Sequence, residues 1–355
     1  MSTDFPPSIA TVKPSVREAY RQVLRYIHGR RLGGGDRLPP QASFRKSLNL
    51  GNDTLGEAMQ LLVTDGVLTR QRKTGTVVDD PARATQAVWT VAITQYDHEG
   101  IGFSGILEYH LRKHLGQQGC EDRTFFRRVT PQDRPHRLED FSGLAEAVQA
   151  GQVDVVMTQE HLLTSKVLVY HMSGGPDVKF GMELDQESFI ADAVRELSAR
   201  GCRRIACVEP TADEYFARHH LARVKRSLRR IERPDLSFQT VLFQGRPIAA
   251  GHAVGEDLLR RPALARPDGL IVRDDYVTMS LTDRLRAAPE YRPRICAITN
   301  CQAPLLFALP VHRFVIDVES LAELAVSMVM RRLLNPRSRL EVERFQARLE
   351  PDPGA

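Results

Sequence analysis

The sequence predicts an α/β protein in two units: a small N-terminal unit of three helices and a hairpin, then a two-lobed body of parallel sheets with crossover helices. Three observations carry this expectation. Positive charge gathers at one end, where twelve Lys/Arg face five Asp/Glu between Lys13 and Lys73, a net +7 inside a chain of net +5. Apolar residues recur at helical spacing in that stretch, whereas from Val88 onward β-prone runs alternate with helical ones. At 355 residues the chain is long enough for two domains, since domains run roughly 100–200 residues.

Within the first unit, Val16, Ala19, Tyr20, Val23, Leu24 and Ile27 make one apolar stripe of a helix that Gly29 and the Gly33–Gly35 run stop. Pro39-Pro40 suits entry to a short second helix over Gln41–Leu48, because proline is tolerated in a first turn. Leu50-Gly51-Asn52 makes a tight turn with Asn52 as the cap of a third helix, whose inner stripe is Leu55, Ala58, Met59 and Leu62. Gly66 ends it. Val67–Arg70 and Thr76–Val78 are β-prone and joined by the polar tip Gln71-Arg72-Lys73-Thr74-Gly75, a hairpin of wing type. A basic unit of this order is the electrostatic footprint of a phosphate-backbone binder.

Four short motifs in sequence order resemble the DNA-binding domain of the GntR family: Gly35-Asp36-Arg37-Leu38-Pro39, Thr54-Leu55-Gly56-Glu57-Ala58, Leu62–Leu68 and Thr74-Gly75-Thr76-Val77-Val78. The resemblance spans about Arg17 to Asp80 and implies a winged helix-turn-helix over residues 14–80. In such a unit the third helix enters the major groove, so Asn52, Asp53 and Thr54 would meet base edges. Arg37, Arg45 and Lys46 would flank the backbone. Arg70, Arg72 and Lys73 would approach phosphates or the minor groove, with Gly75 letting the wing come close. The chain departs from the family in carrying Gly51-Asn52 before the recognition helix and Gly56 within it, where arginine is common.

Residues 81–87, polar and opened by Pro81, read as a linker to a body over residues 88–349. Expected strands are Val88–Thr94, Val153–Thr158, Val167–Met172, Arg204–Val208, Phe238–Phe243, Gly269–Arg273, Ile295–Thr299 and Phe314–Asp317. Expected helices are Phe103–Gln118, Leu138–Ala150, Glu187–Ala199, Asp213–Ile231, Ala249–Arg260, Val277–Ala288 and Ser320–Leu334. The stretches Gly151–Val156, Glu183-Leu184-Asp185, Leu197–Ala206, Pro267–Asp275 and Val315–Ala325 resemble the LacI-type effector domain. That resemblance implies a periplasmic-binding-protein-like fold with two lobes around a cleft. It also implies effector contacts from Tyr96, Asp97, Phe103, Asp185, Asp275 or Asp274, Asn300, and Arg218 or His220 on the Asp213–Ile231 helix. Such sites lie in loops beyond strand ends, where open α/β folds bind ligands. The combination implies a sugar-responsive repressor, homodimeric, with operator DNA and a small-molecule effector as partners.

Other signals compete less well. Gly100-Ile101-Gly102-Phe103-Ser104-Gly105 spells a dinucleotide fingerprint and makes a nucleotide-cofactor oxidoreductase the leading enzyme alternative. Against it, Gln95–Glu99 separates the glycines from the strand end where that motif begins. His110 and His114 stand four apart on a helix but lack a third ligand and sit beside Arg112 and Lys113, which reads as a solvated face. Five scattered cysteines form no paired metal or disulfide pattern, and Cys207 and Cys296 fall in apolar strands. With no secretory layout before Pro14 and no run near the roughly 18 apolar residues a membrane span needs, a cytoplasmic regulator without cofactor or metal is expected.

Overall fold

The computed structural model describes residues 13–71, 75–84, 89–95, 103–127, 136–173, 177–210, 235–243, 247–302 and 305–350, together with Val224, Ser227, Ile231 and Arg233. Arg72, Lys73, Tyr96, Asp97, Arg218, His220 and Gly100–Gly102 therefore lie outside the described residues.

The head begins with α1 (Pro14–Gly29), which buries the whole stripe from Val16 to Ile27. On it sits α2 (Gln41–Leu48), anchored by buried Phe44, whose ring meets Tyr26 edge-on at 4.7 Å. Asn49 turns the chain in left-handed conformation at φ 53, a geometry asparagine tolerates better than most residues. Next comes α3 (Asn52–Thr64), closing the core with Leu55, Ala58, Met59 and Leu62. The cap differs from expectation. Gly51 holds the N-cap position, no side chain closes the first turn, and Asn52 is already helical. Its amide end therefore keeps its positive pole toward solvent.

Strands β1 (Leu68–Gln71) and β2 (Gly75–Val78) pair antiparallel, Arg70 facing Thr76. Gly75 sits at φ +92, where a side chain would be strained. The Gly35–Leu38 segment runs along β2: Leu38 N–H donates to Thr76 O at 3.0 Å and Val78 N–H to Asp36 O at 2.8 Å. Arg37 thereby becomes part of the wing.

The body holds two six-stranded sheets. The first contains β3 (Trp89–Gln95), β4 (Cys120–Phe126), β5 (Val155–Thr158), β6 (Leu168–His171) and β7 (Gly181–Leu184), with α4 (Phe103–Gln117) and α5 (Leu144–Gln149) in the connections. At Asp185 the chain crosses to the second lobe. There α6 (Gln186–Ala199), β8 (Arg204–Pro210), β9 (Ser237–Phe243), α7 (Pro247–Arg260), β10 (Gly269–Val272), α8 (Asp275–Arg286), β11 (Arg294–Asn300) and β12 (Val311–Ile316) follow in order. At Asp317 it returns, and α9 (Val318–Leu334) packs on α4 and β7. Two short strands finish it: β13 (Val342–Phe345) joins the first sheet beside β7, and β14 (Arg348–Leu349) runs antiparallel to β12. Strand orders are β13-β7-β6-β5-β3-β4 and β14-β12-β11-β10-β8-β9, parallel throughout except for β14.

Both early crossings use one device. Asp185 accepts from the Ser188 amide at 3.1 Å and its hydroxyl at 2.8 Å; Asp317 accepts from the Ser320 amide at 3.2 Å and its hydroxyl at 2.9 Å. An Asp-x-x-Ser cap thus starts a helix wherever the chain changes lobes. The third crossing lies between Phe345 and Arg348.

Four strands escape the sequence reading: β4, β7, β13 and β14. Edge strand β4 reads CEDRTFF and lacks apolar alternation, while the other three have two to four residues, each with at least one charge. The expected Leu138–Ala150 helix is a short turn, Leu138–Asp140, and then α5, broken where Gly143 adopts φ +77. Of the expected Asp213–Ile231 helix only Val224, Ser227 and Ile231 are described; the first two are helical and Ile231 lies in a bend.

Candidate DNA-binding face and inter-lobe cleft

On the head, Asn52 and Asp53 are exposed at the start of α3 and Thr54 is half-buried beside them. Arg45 and Lys46 occupy the last turn of α2, one short turn of chain before α3. Arg37 and Arg70 are exposed on the two outer strands of the wing, and Gly75 is exposed at its described tip. These eight positions lie on α2, the first turn of α3 and the wing. Arg72 and Lys73 lie outside the described residues.

Not all of the positive charge counted in the sequence faces that way. Arg25 reaches the body, its Nη2 2.6 Å from Asp154 Oδ1 and its guanidinium 4.6 Å from the centre of the Trp89 ring. Asp154 is held in turn by the Thr90 amide, 2.8 Å from Oδ2. Arg21 lies 3.5 Å from Glu121, and α1 also touches α9. The apolar side of α1 builds the head while its polar side fastens the head to the first lobe. Trp89, the single tryptophan, serves this junction.

A cleft of about 460 Å³ opens between the lobes. Its walls come from C-terminal strand ends, where the parallel topology points them: Gln159 after β5, Phe243 at the end of β9, Arg273 after β10 and Asn300 at the end of β11. Phe103, Asp274, Asp275 and Asn300, all expected from sequence, line it together. Asn300 Nδ2 donates to Asp275 Oδ2 at 2.8 Å, and both residues are buried. Burial, reinforced by the neighbouring Asp274, pushes the Asp275 carboxyl up to about 6. Asp274 is also pushed up by burial, although it caps α8 by accepting from the Val277 amide at 2.8 Å.

Asp185 takes another position. It caps α6 at the crossing and lines a separate surface pocket with Ser188, Arg195 and Arg344. Burial raises its carboxyl, but the Ser188 amide and hydroxyl and Arg344 outweigh that and leave it below the usual range.

Several cleft residues escaped the sequence reading. Phe243 and Phe345 add rings beside Phe103, and Ser173 adds a hydroxyl. Arg273 forms a 2.9 Å bridge to Glu209, which is only 2% exposed. Burial pushes Glu209 up and Arg273 pulls it back. Reading the residue at each strand's C-terminal end would have found Gln159, Phe243 and Arg273. Behind Gln159, a buried network fixes the wall: His136 Nε2 lies 3.0 Å from Glu160 Oε2, and Arg127 Nη1 lies 3.4 Å from the same oxygen.

The remaining signals resolve structurally. His110 is 8% exposed rather than on a solvated face, and lies 3.7 Å from Glu319 of α9. Among the described residues no group of three or more His, Cys, Asp or Glu is placed to hold a metal ion. Cys207 and Cys296 are buried, and burial raises both thiols. Gly105 lies in the first turn of α4, seven residues of sequence separate β3 from that helix, and Gly100–Gly102 lie outside the described residues. Among the described residues no helix is long and apolar enough to cross a membrane.

Comparison with known proteins agrees with both halves. Residues 15–78 match the bacterial regulatory proteins of the gntR family, and residues 194–351 match a periplasmic binding protein-like domain. No curated protein sequence matches the chain. Among solved structures, the Cra transcriptional dual regulator from Pseudomonas putida in complex with fructose 1-phosphate superposes with TM-score 0.59 at 14% identity, covering 74% of this chain and 97% of that one. A LacI family transcriptional regulator from Enterococcus faecium with bound ribose gives 0.55 at 16%, covering 74% and 96%. One from Bifidobacterium animalis gives 0.57 at 13%, covering 72% and 93%. At these identities the likeness shows the fold, that of the LacI-type body. The chain is a transcription regulator that joins a GntR-type DNA-binding domain to a periplasmic-binding-protein-like effector domain.

Proposed function

We propose that this regulator is a ligand-controlled repressor that binds operator DNA as a homodimer and a small polar metabolite, of sugar type, in the inter-lobe cleft. The observation that carries the reading is the path between the two sites. Asp154, which holds Arg25 of the head, immediately precedes β5, and Gln159, the residue after β5, lines the cleft. Closure of the lobes around a ligand would move the strand ends, and the head is fastened to one of those lobes rather than hung from it.

In this reading Asn52, Asp53 and Thr54 meet base edges, while Arg37, Arg45, Lys46, Arg70, Arg72 and Lys73 hold phosphates and Gly75 lets the wing approach. Phe103, Asp274, Asp275 and Asn300 contact the effector, with Tyr96, Asp97 and Arg218 or His220 as further contacts. Asp185 acts from the hinge. The regulator works in the cytoplasm, where its DNA is.

Selection of bound duplexes from a random pool by the full chain tests the DNA half. Two inverted half-sites, spaced by about one helical turn of 10–10.5 base pairs or a multiple of it, are expected. A pool that shows no enriched sequence after repeated rounds would leave the chain without an operator and defeat the reading.

A further inference from the structure

Along the polar side of α1, Glu18, Arg21, Arg25 and Gly29 follow one another at helical spacing. Glu18 braces Arg25 at 3.2 Å, and the other three meet the body. Arg25 joins Asp154 at 2.6 Å and lies over the Trp89 ring; Arg21 joins Glu121 at 3.5 Å. A Cβ added at Gly29 would stand 3.8 Å from Leu334 O, so the end of α1 rests against the end of α9.

The body partners share a place. Trp89 opens β3, Glu121 is second in β4 and Asp154 precedes β5, all at N-terminal strand ends, opposite the cleft. Asp154 is built into the sheet, its Oδ2 accepting from the Thr90 amide at 2.8 Å and its own amide donating to Thr90 O at 2.9 Å. Trp89 is 8% exposed, and the Arg21, Arg25 and Asp154 side chains are mostly covered. Ion pairs so shielded are screened less by salt than exposed ones. The start of the linker belongs to the head as well: Asp79 N–H donates to Val67 O at 2.8 Å, and the Arg83 side chain lies over Gly66.

Five residues separate Arg83 from Trp89. As a free tether, five residues would let a head wander about 12 Å, or roughly three to four base pairs of duplex. The seated α1 removes that freedom.

We infer that the α1 seat makes the head and the first lobe one rigid piece, and that Arg25, with Arg21, is a positioning residue by which the regulator discriminates the spacing between half-sites. This rests on the reading of a homodimer on two half-sites. Base contacts decide which half-site is read; the seat decides how far apart two of them must stand. Two base pairs more or less shift one half-site by about 7 Å and turn it about 70° around the duplex.

The test uses the full chain, the operator obtained by selection, the same operator with its spacer lengthened or shortened by two base pairs, and a single half-site duplex. Anisotropy should show wild-type affinity falling about a hundredfold off-spacing, toward that of the single half-site, because the second head adds affinity only when both engage. R21Q/R25Q should keep the single half-site affinity and bind the three spacings within about tenfold of one another. E121Q/D154N removes the partners from the body side, leaves the charge of the head alone and should behave alike; it stands in if the first variant does not fold. Trp89, the single tryptophan, reports the seat itself. Its quenching by acrylamide should stay unchanged when wild-type protein binds operator and should rise in either variant.

Wild-type protein that prefers the full operator to a half-site yet accepts all three spacings would overturn the inference, as would a folded variant that keeps wild-type discrimination. Trp89 quenching that rises on operator binding, or that is the same in wild-type protein and the variants, would do so too. Failure of the homodimer reading looks different: wild-type protein would bind a single half-site as tightly as the full operator, while Trp89 quenching still separated it from the variants.

Discussion

Changing Arg37, Arg45, Lys46 and Arg70 together to alanine lowers affinity for every duplex, specific or not, by about a thousandfold near physiological salt. The arithmetic is that of counterion release. Each phosphate contact contributes a slope of about −0.9 in log affinity against log salt, or about 0.7 log unit at 0.15 M. Losing four contacts therefore makes the slope shallower by about 3 to 4 while leaving the ranking of sequences intact. All four side chains sit on the outer wing strands or the last turn of α2, so the head's core, built on Tyr20, Phe44, Leu55 and Leu62, is untouched. Asn52→Ala makes the contrasting case: it should flatten the ranking at one or two base pairs by about 1–3 kcal/mol and leave the salt slope alone. Filter-binding or anisotropy titrations over a salt series read both quantities. A quadruple variant with the wild-type slope would move the DNA face elsewhere.

The second large effect is in the cleft. Asp275→Asn keeps shape and the neighbourhood of Asn300 but removes the charge, and hydrogen bonds to charged groups are worth roughly 1.5–3 kcal/mol. Ligand affinity should fall about 10- to 100-fold, with the fold intact by melting curve. The pH dependence gives a second readout. Burial and the adjacent Asp274 hold the Asp275 carboxyl up near about 6, so in the free protein it is protonated below that pH and ionised above it. A ligand that donates to the ionised form binds better as pH rises through about 6, and D275N loses that step. A ligand-affinity profile flat across this range in wild-type protein would remove Asp275 from the contact set.

Much of the head was legible because its signals are local. Two prolines before Gln41, glycines after α1 and in the wing, and a clean apolar stripe set the boundaries of the elements within a residue or two. The functional burden of α1 was not legible. Arg21 and Arg25 look like any basic residues on a polar face, and only the fold places Asp154 and Glu121 opposite them. In the body, strands with dense β-branched residues were readable, whereas β4, β7, β13 and β14 take their identity from neighbouring strands rather than from their own composition. The Glu183-Leu184-Asp185 stretch points to Asp185 as an effector contact, whereas in the fold its carboxylate caps α6 and lies outside the lining of the inter-lobe cleft. The Arg273–Glu209 bridge joins the C-terminal ends of β8 and β10, a pairing that sequence spacing does not announce.

The direct test of the whole account is operator affinity of the full chain, measured by anisotropy with and without a saturating cleft ligand taken from a carbohydrate thermal-shift screen. A change of roughly 5- to 150-fold is predicted for wild-type protein, the range of a coupling free energy of about 1–3 kcal/mol, and no change for D275N at the same ligand concentration. Identical operator affinity in the two states of wild-type protein, with ligand demonstrably bound, would contradict it.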